Sequence, residues 1–363
     1  MNDKEKCCAR RKTSIGGQAL MEGIMMRGPE KNAMAVRRAN GEIFFEENLN
    51  QKKKRPRICR WPVIRGVFGF IDSMVIGYKA LMRSAEIAIE DEMAEEEKKD
   101  SAAAEVSAEA QDPAPVEKNT EREEKRGFNK AAMAAIVLIA TVLGFALAIG
   151  LFLWLPSFLY NLIAKYAPGD WGLADNRYLR SVFEGVLKIA VLVVYMALVS
   201  LMKDIRRTFM YHGAEHKTIF CYEKGMPLTV ENVKKQSRFH PRCGTSFLIL
   251  MLLVSIVIGL FIPPSFEGIN PTLYTVIRAA IKLLLIPLTM GIGYEVLKFA
   301  GRHENIVTRI ISAPGMWLQR ITVKEPTDDM IECAVKAFVA VLPEGEKEAE
   351  IAAITPAKEN TEA

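Results

Sequence analysis

The chain has 363 residues, of which 50% are hydrophobic and 25% charged, with a formal net charge of +5. The charges are segregated from the apolar stretches, which excludes an ordinary soluble domain and points to a membrane protein with polar parts. No basic run is interleaved with aromatics, so nucleic acid is excluded as a partner, and all six cysteines fall in polar segments expected in the cytoplasm, so no disulfide framework is indicated.

Met1 to Lys12 is polar and basic and no short apolar run follows, so no signal peptide is expected. In Ile15 to Gly28 the glycines imply turns or close backbone approach, with Glu22 and Arg27 either facing a site or solvated. Ala33 to Arg38 and Glu42 to Glu46 flank Asn40-Gly41, the dipeptide of a type I′ turn, which predicts a β-hairpin. Residues 1–60 therefore read as a small cytoplasmic α+β part. It ends in a basic run, Lys52 to Arg60, that is solvated or touches anionic lipid.

Residues 61–89 are apolar except for Arg65, Asp72, Lys79 and Glu86 at intervals of seven, which predicts an amphipathic helix lying in the interface or against membrane spans. Residues 90–127 lack aromatics and apolar periodicity and read as a disordered linker.

Four stretches are apolar enough to be transmembrane helices: Ala131 to Leu155, Ser181 to Met202, Ser246 to Phe266 and Thr275 to Leu297. Helices 1 and 2 occupy 131–202, and helices 3 and 4 occupy 246–297. In the second, Glu184 and Lys188 have the spacing of an i,i+4 ion pair. The fourth carries Arg278, Lys282 and Glu295 and should kink at Pro287. Lys and Arg concentrate before the first span, in 203–245 and after the fourth span, while 156–180 and 263–278 hold few. The positive-inside rule then puts both termini and the 203–245 loop in the cytoplasm of a multi-pass protein of the bacterial cell membrane. The second span should run on as one helix into that loop, and Gly225 and Pro227 should end it. Residues 298–343 read as a cytoplasmic C-terminal part with a helix from Pro326 to Leu342. Residues 344–363 read as a disordered tail. The fold class expected is a mainly α membrane protein with four transmembrane helices and a small α+β N-terminal part.

The 203–245 loop holds three of the four histidines. In Tyr211-His-Gly-Ala-Glu-His-Lys217, His212, Glu215 and His216 stand at i, i+3 and i+4, on one helix face. Two imidazoles a turn apart can share a metal, and a carboxylate beside them can orient or deprotonate a water. The turn His240-Pro-Arg-Cys-Gly-Thr245 offers His240 and Cys243 as further donors. Cys243 is the stronger ligand candidate, because a cytoplasmic thiolate suits zinc, and His240 fits a supporting place behind it. Glu295, near the cytoplasmic end of the fourth span, is a further candidate ligand. The cofactor expected is zinc or another divalent transition metal.

Gly17 to Gly28, Tyr211 to Lys217 and His240 to Ser246 together resemble the YqhQ-like family of bacterial membrane proteins. That resemblance covers nearly the whole chain apart from the linker and tail, and it implies a metal-dependent membrane enzyme. His212-x-x-Glu215-His216 is also similar to the motif of the inverzincin peptidases, in which two histidines bind zinc, the glutamate is general base and a distant glutamate is third ligand. Glu295 would stand in that third place here, although the soluble domains of those peptidases have no counterpart.

Three functions remain open on the sequence. One is a zinc hydrolase at the cytoplasmic membrane face, with Glu215 taking the proton of the attacking water. Another is a non-enzymatic assembly, transport or lipid-handling protein whose metal only clamps the loop, and the third is a metal-sensing or metal-handling protein. The partners expected are membrane lipids, with a homo-oligomer allowed.

Overall fold

The structure is a computed structural model, and it describes residues 13–50, 56–108, 135–166 except 137, 176–263, and 268–354 except 304. These residues divide into two compact units, Met1–Glu92 with Val193–Val254 and Ile286–Ala363, and Met93–Leu192 with Ser255–Leu285. The chain is mainly helical, with a small antiparallel sheet near its N-terminus.

In the first unit, β1 (Gly16–Leu20), β2 (Gly23–Arg27), β3 (Lys31–Arg37) and β4 (Ile43–Leu49) form a meander in the order β1-β2-β3-β4. The expected β3–β4 hairpin is present, with Gly41 at φ +86° in its turn. Strand β2 gave no alternating signal because Ile24, Met25 and Met26 are buried on both faces, and in β1 the glycines imply a turn. Ile24, Met26, Ala33 and Ala35 face one hydrophobic core, while Leu20, Met25, Met34 and Val36 face another. Glu22 sits at φ 48° in the β1–β2 turn and is held there by a two-pronged ion pair from Arg207.

Helix α1 (Ile64–Ala108) covers the second sheet face through Ile76, Ala80 and Ile87. It does not stop near residue 89: the segment expected to be linker is helical as far as Ala108, because Glu, Lys and Ala are strong helix formers even where no apolar face is present. Residues 109–127 of the expected linker lie outside the described residues.

The apolar helices differ from the four expected spans. Helix α2 (Leu138–Tyr166) runs on through Pro156, past the expected end at Leu155. A π-turn over Gly150–Trp154 precedes this proline, and the widened backbone there absorbs the helix hydrogen bond that proline cannot make. Helix α3 (Arg177–Val199) is long enough to cross a bilayer, but it does not continue into the loop. A turn at Ser200–Met202, with Met202 extended, separates it from α4 (Lys203–Glu223). Helix α6 (Gly244–Gly259) has only 16 residues. Helices α7 (Pro271–Leu284) and α8 (Ile286–Arg302) are bent by 45° at Leu285, two residues before the expected kink. Among the described residues two helices are thus long and apolar enough to cross a membrane, or three if the bent pair is one span, rather than a clear four.

Within the second unit Glu184 is buried, and its partners are not those the sequence spacing implied. It bonds Arg180 at 3.1 Å, Ser157 at 3.0 Å and Lys282, with Arg278 at 3.6 Å, so the neighbouring helix α7 supplies cations in place of Lys188.

The first sheet face is covered by α4 and α10 (Asp328–Ala340), whose Tyr211, Ala214, Ile331, Ala334 and Phe338 fill its core with Leu228 and Val233. The short α5 (Val230–Lys234) starts at Thr229, whose side chain accepts the Asn232 amide. Helix α9 (Ile306–Thr322) opens with a capping box between Asn305 and Thr308. The last helix, α11 (Glu344–Ile354), lies in the segment expected to be a disordered tail.

Candidate metal centre

His212 and His216 fall on the same face of α4, one turn apart, with ring centroids 4.4 Å from each other. The turn that follows α5 returns Cys243 to this face. His212 Nε2 lies 3.1 Å from Cys243 Sγ, and the donor atoms of His212, His216 and Cys243 all lie within 4.8 Å of one another. Among the described residues these three form the group of His, Cys, Asp or Glu side chains close enough to hold one ion.

The orientation of both rings comes from backbone carbonyls. His212 Nδ1 is 3.1 Å from the Thr322 carbonyl and His216 Nδ1 is 2.6 Å from the Arg238 carbonyl. A carbonyl can only accept, so each Nδ1 must carry the proton and donate it, leaving a lone pair on each Nε2. His216 Nε2 is buried with no hydrogen-bond partner. Burial pushes the His216 imidazole below its ordinary pKa, which favours the neutral ring a metal requires. A histidine whose far nitrogen is fixed by a carbonyl is the usual arrangement behind a metal ligand.

Three local features bring these carbonyls into place. A Cβ on Gly213 would lie 2.0 Å from the Lys324 carbonyl oxygen, so only glycine lets the extended segment after α9 cross α4 here. The Lys324 amide then donates to the Phe209 carbonyl at 2.9 Å, and Thr322 is carried alongside His212. A Cβ on Gly315 would lie 2.6 Å from Ser246, which marks a close crossing of α9 over the start of α6. One turn further on, the buried Gln319 accepts the His240 amide at 2.8 Å and donates to its carbonyl at 2.7 Å, fixing the turn that holds Cys243. Gln319, Thr322 and Arg238 gave no sequence signal, since two act through backbone carbonyls and the third through an ordinary amide. Gly213 did give one, as the lone glycine in an otherwise helix-favouring run.

The other expected site residues lie elsewhere. Glu215 is buried but stands outside the three-donor group, where its carboxylate accepts the Gly17 amide at 2.8 Å. A Cβ on Gly17 would lie 2.9 Å from the Glu215 side chain, so the glycine run of β1 provides the close approach the sequence implied. Burial raises the Glu215 pKa, against the pull of His212 and the Gly17 amide. His240 packs behind His216, with ring centroids 5.6 Å apart, and is not in the group. Burial lowers its pKa. Its neighbour Glu223 is opposed by burial but held at about 2 by His240, Arg242 and the Thr13 amide. Glu295 is paired in two-pronged fashion with Arg65 of α1, and the structure does not bring it to the cluster. Arg27 bonds Ser73 at 3.0 Å and likewise lies away from it.

Comparison with known proteins is consistent in extent with these elements. Residues 61–344 match the family described as a protein of unknown function, DUF1385. The chain is 31% identical over 331 residues to the uncharacterized protein YqhQ of Bacillus subtilis (strain 168), covering 91% of this chain and 92% of that protein. No solved structure matches. A match over most of the chain to both the family and YqhQ means that this protein belongs to the DUF1385 family.

Proposed function

We propose that the protein is an integral membrane metalloprotein that holds a divalent transition metal, zinc by preference, on His212, His216 and Cys243 at the cytoplasmic face. The observation that carries this reading is the convergence of two lone-pair-bearing Nε2 atoms on one thiol sulfur, each opposite Nδ1 tied to a backbone carbonyl. Two imidazoles and one thiolate suit zinc, and three protein donors leave a fourth position open, as in catalytic rather than closed structural sites. We therefore favour a zinc-dependent hydrolase. When bound, the metal would supply Lewis acidity and a water of lowered pKa. Glu215, which is raised in pKa by burial and accepts the Gly17 amide outside the donor group, would be the proton acceptor of this reading, reaching the bound water only after leaving that amide.

A second reading is a structural clamp. It draws support from the three segments that meet at the cluster, namely α4, the 240–243 turn and, through the Thr322 carbonyl, the end of α9. Cobalt substitution distinguishes the two. Tetrahedral cobalt with a thiolate charge-transfer band is expected in either case. A pH-dependent change in its d–d bands, altered in Glu215→Gln, marks an ionisable water and the open site. A pH-independent spectrum leaves the clamp, and failure to load cobalt or zinc in stoichiometric amount rejects both.

A further inference from the structure

Beside the cluster lies a cavity of about 430 Å³, between the end of α4, the 239–242 turn and the junction of α8 and α9. This volume falls in the range of small-molecule sites. Phe220, Phe239 and Met316 give it apolar walls. Its lining carries three cationic side chains, Lys224, Arg242 and Arg309, with the imidazoles His240 and His303 and the hydroxyls Thr308 and Ser312, against one carboxylate, Glu223. Glu223 is already neutralised, since it accepts Arg242 and the Thr13 amide. Lys224 bonds the Gln236 side chain at 2.8 Å, and among the described residues neither it nor Arg309 has a carboxylate partner.

His240 supplies the second observation. Its Nδ1 accepts the Arg242 amide at 3.2 Å, which assigns the proton of the neutral ring to Nε2. That Nε2 is buried in a residue only 4% exposed and has no hydrogen-bond partner, the nearest acid oxygen being Glu223 at 3.8 Å. A buried donor left unpaired is costly, and it is best satisfied by an acceptor entering the cavity.

We propose that this cavity binds the phosphoryl group of an organic phosphate. His240 Nε2–H and the Arg309 guanidinium donate to its oxygens, and the aromatic walls cover its organic body. Guanidinium and ammonium groups select phosphate through charge-assisted bonds. The cavity is lined in part by Ala300 and Gly301 near the end of the apolar α8, and the phosphate belongs either to a lipid headgroup or to a soluble ester. The inference uses none of the three metal donors and stands apart from the metal reading.

The test is calorimetric titration of the full chain in detergent, washed with chelator, using glycerol 3-phosphate and dihexanoyl phosphatidic acid as probes. Saturable binding of the soluble ester alone assigns a soluble ligand, and binding of the phosphatidic acid alone or of both assigns a headgroup site. His240→Gln and Arg309→Ala should each weaken the binding by roughly tenfold or more. Arg309 is exposed, so its variant decides the matter if His240→Gln fails to fold. Absence of binding of both probes at roughly millimolar concentration overturns the proposal, as does unchanged affinity in Arg309→Ala. Zinc content measured on the same samples before the chelator wash should be the same in Arg309→Ala as in the parent, which keeps a failure here distinct from a failure of the metal site.

Discussion

At the scale of single residues, the metal reading divides the histidines into two groups. Ala at His212 or His216, or Ser at Cys243, should each reduce bound zinc to well below one equivalent by elemental analysis. His240→Ala should keep it, because His240 lies outside the donor group. Retention of full zinc by any of the first three variants would remove that residue from the site. Gly213→Ala places a methyl 2.0 Å from a carbonyl oxygen of the crossing segment, which cannot move as a flexible side chain would. We expect a loss of roughly 1–3 kcal/mol in thermal or denaturant unfolding, with weaker zinc retention as the Thr322 carbonyl leaves His212. Glu215 gives a pH prediction. Its pKa is raised above the ordinary 4.5 by burial, so the stability associated with its protonated form is complete below about pH 4.5 and is lost as pH rises through the folded value. Metal-free Glu215→Gln should therefore melt higher than the parent at pH 8 and converge with it toward pH 4.5. A gap that widens on acidification would reverse the sign and the assignment.

At the scale of elements, legibility followed the periodicity. The two-histidine helix and the Asn40-Gly41 hairpin could be read because each carries a local signal of spacing or turn chemistry. Strand β2 could not, because burial on both faces removes the alternation that marks a strand, and β1 could not, because its glycines read as a turn. The break between α3 and α4 was equally invisible, since Ser200-Leu-Met202 contains neither glycine nor proline. Helix α9 is the element whose importance the sequence hid most. Its register is set by Gly315 against Ser246, and its working group is Gln319, which bonds both the amide and the carbonyl of His240. Gln319→Leu would leave both buried groups unpaired, at roughly 1–3 kcal/mol for each. The expected result is a destabilised protein that loads zinc poorly although no ligand has changed. Stability and zinc content equal to the parent would show that the turn is held by other contacts.

At the scale of the whole molecule, the first unit constrains how the chain can cross a bilayer. Gly17 bonds Glu215, and His240 bonds Gln319, so segments before α2, between α3 and α6, and after α8 share one set of hydrogen bonds. A bilayer cannot lie between residues that are hydrogen-bonded to each other. The number of crossings between each pair of these segments must then be even. Helices α2 and α3 meet the condition as two spans, and the exposure of Leu138, Leu143 and Phe145 at 64–69% leaves an apolar surface that lipid would cover. Helix α6 has 16 residues, about 24 Å at 1.5 Å per residue, against a hydrocarbon core of about 30 Å. Its apolar run continues through Leu260, Phe261 and Ile262 in a final turn that lengthens it. Parity therefore pairs α6 with the bent α7–α8 helices: either both cross, giving four spans, or neither does, giving two spans and a re-entrant excursion. Three spans would separate segments that share these hydrogen bonds, and the lysine and arginine bias leads us to expect the first unit on the cytoplasmic side. Topology reporters inserted at Asn176 and Gly268 should read outside, and one at Lys224 inside. An inside signal at Gly268 with Asn176 outside would establish the re-entrant form, while opposite sides for Lys224 and Glu344 would break the parity and with it the shared metal centre.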